Sequence, residues 1–407
     1  GSDEGYGTPS TPETLNFTTA PQTITQTTTF EQGWTWWSSP LELSNNGLEM
    51  LEESLGTSGI KIQSKNSGFT EYYDFGSDAF WYGTLTAIYN EQMYQVSTSN
   101  TCVSSMTSQV TTPESHPITI NNGWNWIGYP CNNSQSVEIA MSGFSATSGD
   151  QIKSKNSGFT EYVDFGTDAF WYGTLNTLEP WQGYMYLSNS NESKILIYQT
   201  QSNRDMTESV NIEQSRVFVP KEDNYPNNMT IIAAIEFGKN ELRSSEFEVA
   251  AFAGNECRGS VKLMYVEPID RYLAFLLVSG EAKENLTFVL TDGTDFSWST
   301  NHLLYITDAS IGSVTEPAIL HFAPFGVDEN NQSIVNVYPN PSKGVFNVKG
   351  KDIRKIEIIN AYGQVILSKE VNEDNDLFVD LSNQAIGAYL LRVITDNGIT
   401  VKQLIKE

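Results

Sequence analysis

Residues 64–85 read SKNSGFTEYYDFGSDAFWYGTL, and residues 154–175 repeat them as SKNSGFTEYVDFGTDAFWYGTL, ninety positions later. Twenty of the 22 positions are identical, and only Tyr73/Val163 and Ser77/Thr167 differ. A fixed offset of this kind marks two copies of one structural unit, so the fold must accommodate that unit twice. The flanks have diverged: residues 41–60 agree with 131–150 at 4 of 20 positions. Packing explains the retention of Phe69, Tyr72, Phe75, Phe80 and Leu85. It does not explain that of Lys65, Asn66, Ser67, Glu71 and Asp74. Either the stretch was copied locally, or both copies present the same surface. Two such weak sites on one chain would engage a repetitive polymer with an avidity gain of roughly 10²–10⁴.

Around each copy the hydrophobic pattern is that of short strands with one helix. In the first, residues 23–30 and 33–37 read as strands, as do 60–63, 69–75, 80–85 and 92–97, separated by NSG, FGSD and YN turn signals. Leu48, Leu51 and Leu55 recur at helical spacing, with Asn45 or Asn46 as N-cap and Gly56 as stop. In the second, Val137, Ala140, Met141 and Phe144 give the corresponding helical face. Trp34 and Trp36 share one strand face, as Trp124 and Trp126 do, and both pairs are assigned to the core. TTPESHP (111–117) between the copies reads as a hinge or rigid spacer.

The expected class is therefore mainly β. It comprises a flexible leader (1–22), two tandem ~90-residue α+β modules (23–112 and 113–202), an antiparallel β-sandwich (203–327) and a C-terminal β-sandwich domain (328–407). The strand candidates at 229–237, 247–254, 272–280 and 286–290, with turns between them and no helix, carry the sandwich reading.

The net charge of −26 is unevenly spread: residues 1–200 hold 20 acids against 5 bases, whereas 331–407 hold 9 of each. An acidic body repels phosphate backbones, which argues against nucleic acid and anionic lipid as partners. No apolar run reaches the 18 residues of a membrane span. The Gly1-Ser2 opening is not a signal peptide, so any export signal is expected to lie outside this sequence. Cys102 and Cys131 bracket the joint between the modules and are a candidate disulfide in an exported protein, leaving Cys257 as a small buried hydrophobe. With three histidines and no CxxC, zinc and Ser/His/Asp or Cys/His catalysis have no basis. GxSxG, P-loop, HExxH and helix-opening GxGxxG motifs are absent, so the chain is expected not to be an enzyme.

The C-terminal segment has a more specific signature in VYPNPSKGVFNV (337–348), IEIINAYGQVI (356–366), GAYLLRV (387–393) and VKQLIKE (401–407). These motifs, in this order, resemble the type IX secretion C-terminal sorting domain of Bacteroidetes-type bacteria. The resemblance implies an immunoglobulin-like sandwich that engages the secretion machinery and is usually cleaved as its cargo is anchored or released. EFEVAAFAGNECRGSVKL (246–263), YLAFLLV and FVLTDGT (288–294) are similar to a β-sandwich module of large exported proteins from the same bacteria. The two GWxW modules resemble repeats of such surface proteins. Neither of these two resemblances supplies a catalytic residue or a ligand.

The favoured function is that of a non-enzymatic protein, secreted or held at the outer cell surface, whose paired modules bind a glycan or a host or surface protein. Exposed Trp and Tyr stack on sugar faces while Asn and Asp accept hydroxyl protons. The candidates are Asn66, Tyr72, Asp74, Asp78, Trp81 and Tyr82, with Asn156, Tyr162, Asp164, Asp168, Trp171 and Tyr172 in the second copy. Against this stands the rule that aromatic residues on strands usually pack inward. Adjacent strand residues point to opposite faces, so one of Trp81/Tyr82 and one of Trp171/Tyr172 should be exposed. The same aspartates, four apart around a glycine turn, are also candidates for calcium or for plain turn capping. The alternatives are a structural spacer and an accessory region of a secreted hydrolase.

Overall fold

The computed structural model describes residues 23–200, 216–322, 335–350, 352–360, 365–371, 377–395 and 398–407. The expected leader at 1–22 and the polar linker at 328–333 lie outside the described residues.

In module 1, β1 (Thr23–Phe30) and β7 (Cys102–Gln109) pair antiparallel along their whole lengths. Strands β2 (Gly33–Trp37), β3 (Gly59–Gln63), β4 (Phe69–Asp74), β5 (Ala79–Gly83) and β6 (Tyr94–Thr98) form one sheet in the order β2-β6-β3-β4-β5. Helix α1 (Gly47–Leu55) buries Leu48, Leu51 and Leu55 among Phe30, Ile62, Val96 and Met106. Asn46 takes the N-cap position without a side-chain cap bond, and Gly56, at φ +53°, ends the helix in a conformation that favours glycine.

Module 2 repeats this plan. β8 (Ile118–Ile120) pairs with β16 (Lys194–Leu196). The sheet of β9 (Gly123–Ile127), β11 (Gln151–Lys153), β12 (Phe159–Asp164), β13 (Ala169–Gly173) and β15 (Tyr184–Ser188) runs β9-β15-β11-β12-β13, the same order as in module 1. A two-residue pair, β10 (Gln135–Ser136) with β14 (Thr177–Leu178), flanks α2 (Val137–Ala140). The helix is a single turn, with Ser136 Oγ accepting from Ile139 N, although Val137, Ala140 and Met141 are all buried as their spacing predicts.

The segment between the modules, expected as a hinge or rigid spacer, packs against both of them. Thr111 is buried, and its Oγ1 sits 2.9 Å from the Pro40 carbonyl and 2.5 Å from that of Pro130. His116 reaches Glu91 with Nδ1 (2.7 Å) and Glu42 with Nε2 (3.0 Å). The modules themselves meet through reciprocal bonds: Ser38 N donates to Trp181 O, and Gly128 N donates to Glu91 O. Exchanging the modules by ninety residues turns one bond into the other, as in an isologous interface with a local two-fold axis. Trp36, Met93 and Met185 are buried at this junction, with Trp124 and Trp126 against them.

Trp36, Trp124 and Trp126 thus pack mainly between units rather than inside one core. Trp36 is fully buried, while Trp34, Trp124 and Trp126 remain partly exposed. The disulfide does not form. Cys102 lies beside the core of module 1, Cys131 sits in that of module 2 with Tyr129 and Tyr198, and both thiols are free.

The sandwich contains β17 (Asn228–Phe237), β18 (Asn240–Glu241), β19 (Glu248–Ala253), β20 (Glu256–Lys262), β21 (Met264–Val266), β22 (Arg271–Ser279), β23 (Asn285–Thr291), β24 (Phe296–Leu304), β25 (Ser310–Ile311) and β26 (Ala318–Phe322). It is not wholly antiparallel, because β25 and β26 return beside β17 in parallel register. β17 is buried from Asn228 to Ile235 without alternation. Met229, Ile231, Ala233 and Ile235 enter the sandwich core, whereas Ile232 and Ala234 belong to a second apolar cluster on the opposite face. A strand with both faces covered reads as a continuous apolar run.

In the C-terminal domain, β27 (Asn336–Tyr338), β28 (Val345–Lys349) and β31 (Leu377–Asp380) form one sheet. β29 (Ile353–Ile359), β30 (Val365–Glu370), β32 (Gly387–Thr395) and β33 (Gly398–Lys406) form the other. Both sheets contribute to a core of Phe346, Val348, Ile356, Val379 and Leu391. This is a sandwich, as the sequence resemblance implied.

Candidate functional site

The pleat of the β4–β5 hairpin sorts its aromatic residues onto two faces. Register places Tyr72 opposite Trp81, Glu71 opposite Tyr82 and Tyr73 opposite Phe80. Tyr72 and Trp81 therefore look toward α1, while Glu71, Tyr73, Phe80 and Tyr82 look away from it. The same split holds in β12–β13, with Tyr162 and Trp171 on one face and Glu161, Val163, Phe170 and Tyr172 on the other.

In module 2 the face turned away from the helix is closed by the sandwich. Phe159 and Val163 cluster with Ile232, Ala234, Val266, Leu273 and Phe275, and Phe165 and Tyr172 pack at the margin. Polar groups follow the same route. Glu161 accepts from Val314 N (2.9 Å) and Gln151 Nε2 (2.9 Å), and Thr230 Oγ1 donates to Gln151 (3.0 Å). Burial raises the Glu161 carboxyl above the usual range, against these hydrogen bonds, which favour its ionised form. Lys153, without exposed side-chain surface, donates to Asn228 O (3.0 Å) and Asp308 Oδ1 (2.8 Å), with its ammonium 4.2 Å from the Trp124 ring centroid. Burial depresses its pKa, and Asp308 opposes the shift. Burial likewise pushes Lys155 down to about 8, with Asp223 and Glu222 opposing.

In module 1 Pro226 and Asn227 cover the β2–β6 end of that face through Trp36 and Gln95, and among the described residues nothing closes it over the hairpin. Phe69 is 39% exposed where Phe159 is 0%, and Tyr73 is 39% exposed where Val163 is 1%. Phe75 and Tyr82 are 69% and 70% exposed. The two copies therefore do not present the same surface, which overturns the expectation of two equivalent sites.

The other face of the module 1 hairpin forms a cleft with α1. It has a volume of about 470 Å³ and is lined by Tyr72, Trp81, Glu49, Glu52 and Glu53, with Ala79 and Phe80 at its edge. The Tyr72 and Trp81 rings are 5.6 Å apart and inclined by 57°. Burial lifts the Glu52 carboxyl above the usual range, opposed by a hydrogen bond from Thr70 and reinforced by Glu49. Module 2 lacks this site: its corresponding residues are Ile139, Ser142 and Gly143. Trp171 packs on Tyr162 (5.2 Å) and Tyr186 (6.2 Å) instead.

Of the residues expected to bind, the cleft unites Tyr72 and Trp81 alone. Asn66 lines a separate groove of about 400 Å³ between the modules. Tyr82 lies on the opposite face of the hairpin. Asn156 is exposed, 3.4 Å from Asp223 Oδ1. Asp74 and Asp164 accept from the backbone N–H of Gly76 and Gly166 (2.7 Å each), and Phe75 N and Phe165 N bond the carbonyls of Asp78 and Asp168. These aspartates cap turns, and among the described residues no group of three or more His, Cys, Asp or Glu is placed to hold a metal, so calcium has no assembled ligand set. The glutamates of α1 were missed in the sequence. Their signal was the charge difference between two otherwise parallel helices.

The family model of the secretion system C-terminal sorting domain matches residues 336–407. No curated protein matches the chain. Among solved structures, the BSP domain of a biofilm-associated protein is similar at 9% identity and TM-score 0.16, over 92% of this chain and 59% of that one. The N-terminal four Ig domains of Dscam1 isoform 4.44 align at 8% identity and TM-score 0.14, over 84% and 82%. The chain thus spans 59% of the first of these structures. Among the described residues no helix is long and apolar enough to cross a membrane. The sorting domain directs type IX secretion, which makes this an exported protein, secreted or held at the outer cell surface.

Proposed function

We propose that the protein is a non-enzymatic surface protein that binds a glycan in the module 1 cleft. The supporting observation is the open cleft itself, which sets Tyr72 and Trp81 beside Glu49, Glu52 and Glu53. An aromatic wall offers its π-face to the apolar C–H face of a pyranose, and carboxylates accept its hydroxyl protons. A concave site with few polar groups suits one or two sugar rings. Of the two modules only the first supplies the site, so the repeat does not give two equivalent glycan sites and no avidity gain follows from it.

The test is retention of the full chain on mucin and on a printed glycan array. Wild type should bind, and Glu52→Gln/Glu53→Gln should weaken binding at least about tenfold, on the scale of lost charge-assisted hydrogen bonds. Trp81 also packs against the module 1 core, so Trp81→Ala is informative only with an unchanged circular dichroism spectrum. Absence of binding by wild type would leave the spacer role in its place, and unchanged binding by the glutamate pair would place the glycan outside this cleft. Release of reducing ends from the retained glycan would overturn the non-enzymatic assignment.

A further inference from the structure

The face of module 1 opposite the cleft carries a second feature that the glycan reading does not use. Tyr73, Phe75 and Phe80 form a ring cluster with centroids 6.0–6.4 Å apart, and Tyr73 and Phe75 are stacked at 6°. Lys61 caps Phe69 at 4.1 Å and pairs with Glu71 at 2.9 Å. This is an aromatic sheet face with one cation and one anion at its margin, bounded by β5, the outermost strand of its sheet. A contiguous exposed apolar patch on a folded domain usually marks an interaction surface.

What covers such a face is visible ninety residues later. The near-identical residues of module 2 lie against the outer face of β17, β21 and β22, with Phe159 5.9 Å from Phe275 and Glu161 anchored on Val314 N. Among the described residues, this sandwich has no further face of this kind to offer. The β17 side is taken by module 2. On the other sheet, Ala250, Phe252 and Val289 pack with Ile359 and Leu390 of the C-terminal domain. We propose that the open face of module 1 docks the apolar outer face of a β-sandwich domain carried by another molecule, in the manner of module 2 on its own sandwich.

Three differences between the copies set the choice of partner. Gln151, Lys153 and Val163 of module 2 are Lys61, Gln63 and Tyr73 in module 1. Lys153 matches Asp308 of the sandwich, and Gln63 carries no charge to do so. Tyr73 places a ring where Val163 closes against the sheet. These changes disfavour the chain's own sandwich and suit a partner with more room at that point, so that module 2 and module 1 do not compete.

The probe is the full chain carrying Phe159→Asp and Val163→Asp, which undocks module 2 and frees its sandwich face. The separate cores of module 2 and of the sandwich do not include either residue, so both remain to hold the fold. Slow hydrogen exchange over Asn228–Phe237 verifies that the probe is folded, and Phe159→Ala replaces it if it is not. Lys61→Gln/Gln63→Lys/Tyr73→Val, which converts module 1 to the module 2 face, should bind the probe one-to-one in sedimentation velocity, and wild type at least about tenfold more weakly. Phe75→Asp/Tyr82→Asp should abolish binding by the converted chain. Failure of the converted chain to bind the folded probe overturns the proposal. So does binding that survives Phe75→Asp/Tyr82→Asp, or self-association of wild type through these residues, which would make the occupant a second copy. None of the substituted residues lines the glycan cleft, so these outcomes and those of the glycan test are read separately.

Discussion

Phe159 and Phe69 occupy the same position in two nearly identical stretches, and their truncation should have different consequences. Phe159 is fully buried and packs on Phe275, so Phe159→Ala should weaken docking of module 2 by about 3–5 kcal/mol. Phe69 is 39% exposed and makes a contact with Lys61. Losing an exposed cation–π pair and partial burial costs about 1–1.5 kcal/mol. The amide of Val314 reports on docking alone, since it donates to Glu161 across the interface. A 3 kcal/mol loss corresponds to roughly a hundredfold faster exchange, because 1.4 kcal/mol is a factor of ten. Residue-resolved hydrogen exchange should therefore show Val314 accelerated about a hundredfold or more by Phe159→Ala and unchanged by Phe69→Ala. Equal acceleration by both, or none by Phe159→Ala, would refute the assignment of different environments to the two copies.

Three further outcomes follow from the same geometry. Asp308→Ala leaves Lys153 buried without its carboxylate and should destabilise docking by about 3–5 kcal/mol, which Lys153→Met in the same chain should largely relieve, as thermal melts can measure. His116 is desolvated, yet its bonds to Glu91 and Glu42 outweigh burial and raise its pKa. Its contribution is thus full below the unfolded value of about 6.5 and lost as pH rises through the folded pKa. The melting difference between wild type and His116→Gln should accordingly shrink from pH 6 to pH 8.5 in a pH series. Burial pushes the Cys131 and Cys257 thiols up to about 12, so both should resist alkylation in the native state, and non-reducing mass spectrometry should find no Cys102–Cys131 bridge.

Much of the secondary structure was legible because it depends on local pattern. Thr23–Phe30 and Gly33–Trp37 appear with the bounds their composition suggests, and the Leu48/Leu51/Leu55 spacing places α1. β7 escaped notice because its inward residues include Ser104 as well as Met106, so alternation does not stand out from a polar run. The apolar spacing that suggested a second helix yields only one turn, with Gly143 two residues beyond Met141. For the candidate site, the twenty shared residues gave no means to tell a covered copy from an open one. That distinction rests on Ile232, Phe275 and Val314, far along the chain. One sign was present in MTIIAAIEF, whose central apolar run IIAAI calls for a neighbour on both faces, and module 2 is that neighbour.

The central claim, that one copy of the repeated stretch is docked and the other open, can be read in a single experiment. Hydroxyl-radical footprinting of the full chain compares the two segments side by side, and the Tyr73/Val163 and Ser77/Thr167 differences separate their peptides by mass. Phe69 should be oxidised well above Phe159, and Tyr82 above Tyr172. Equal oxidation of Phe69 and Phe159 would contradict the claim.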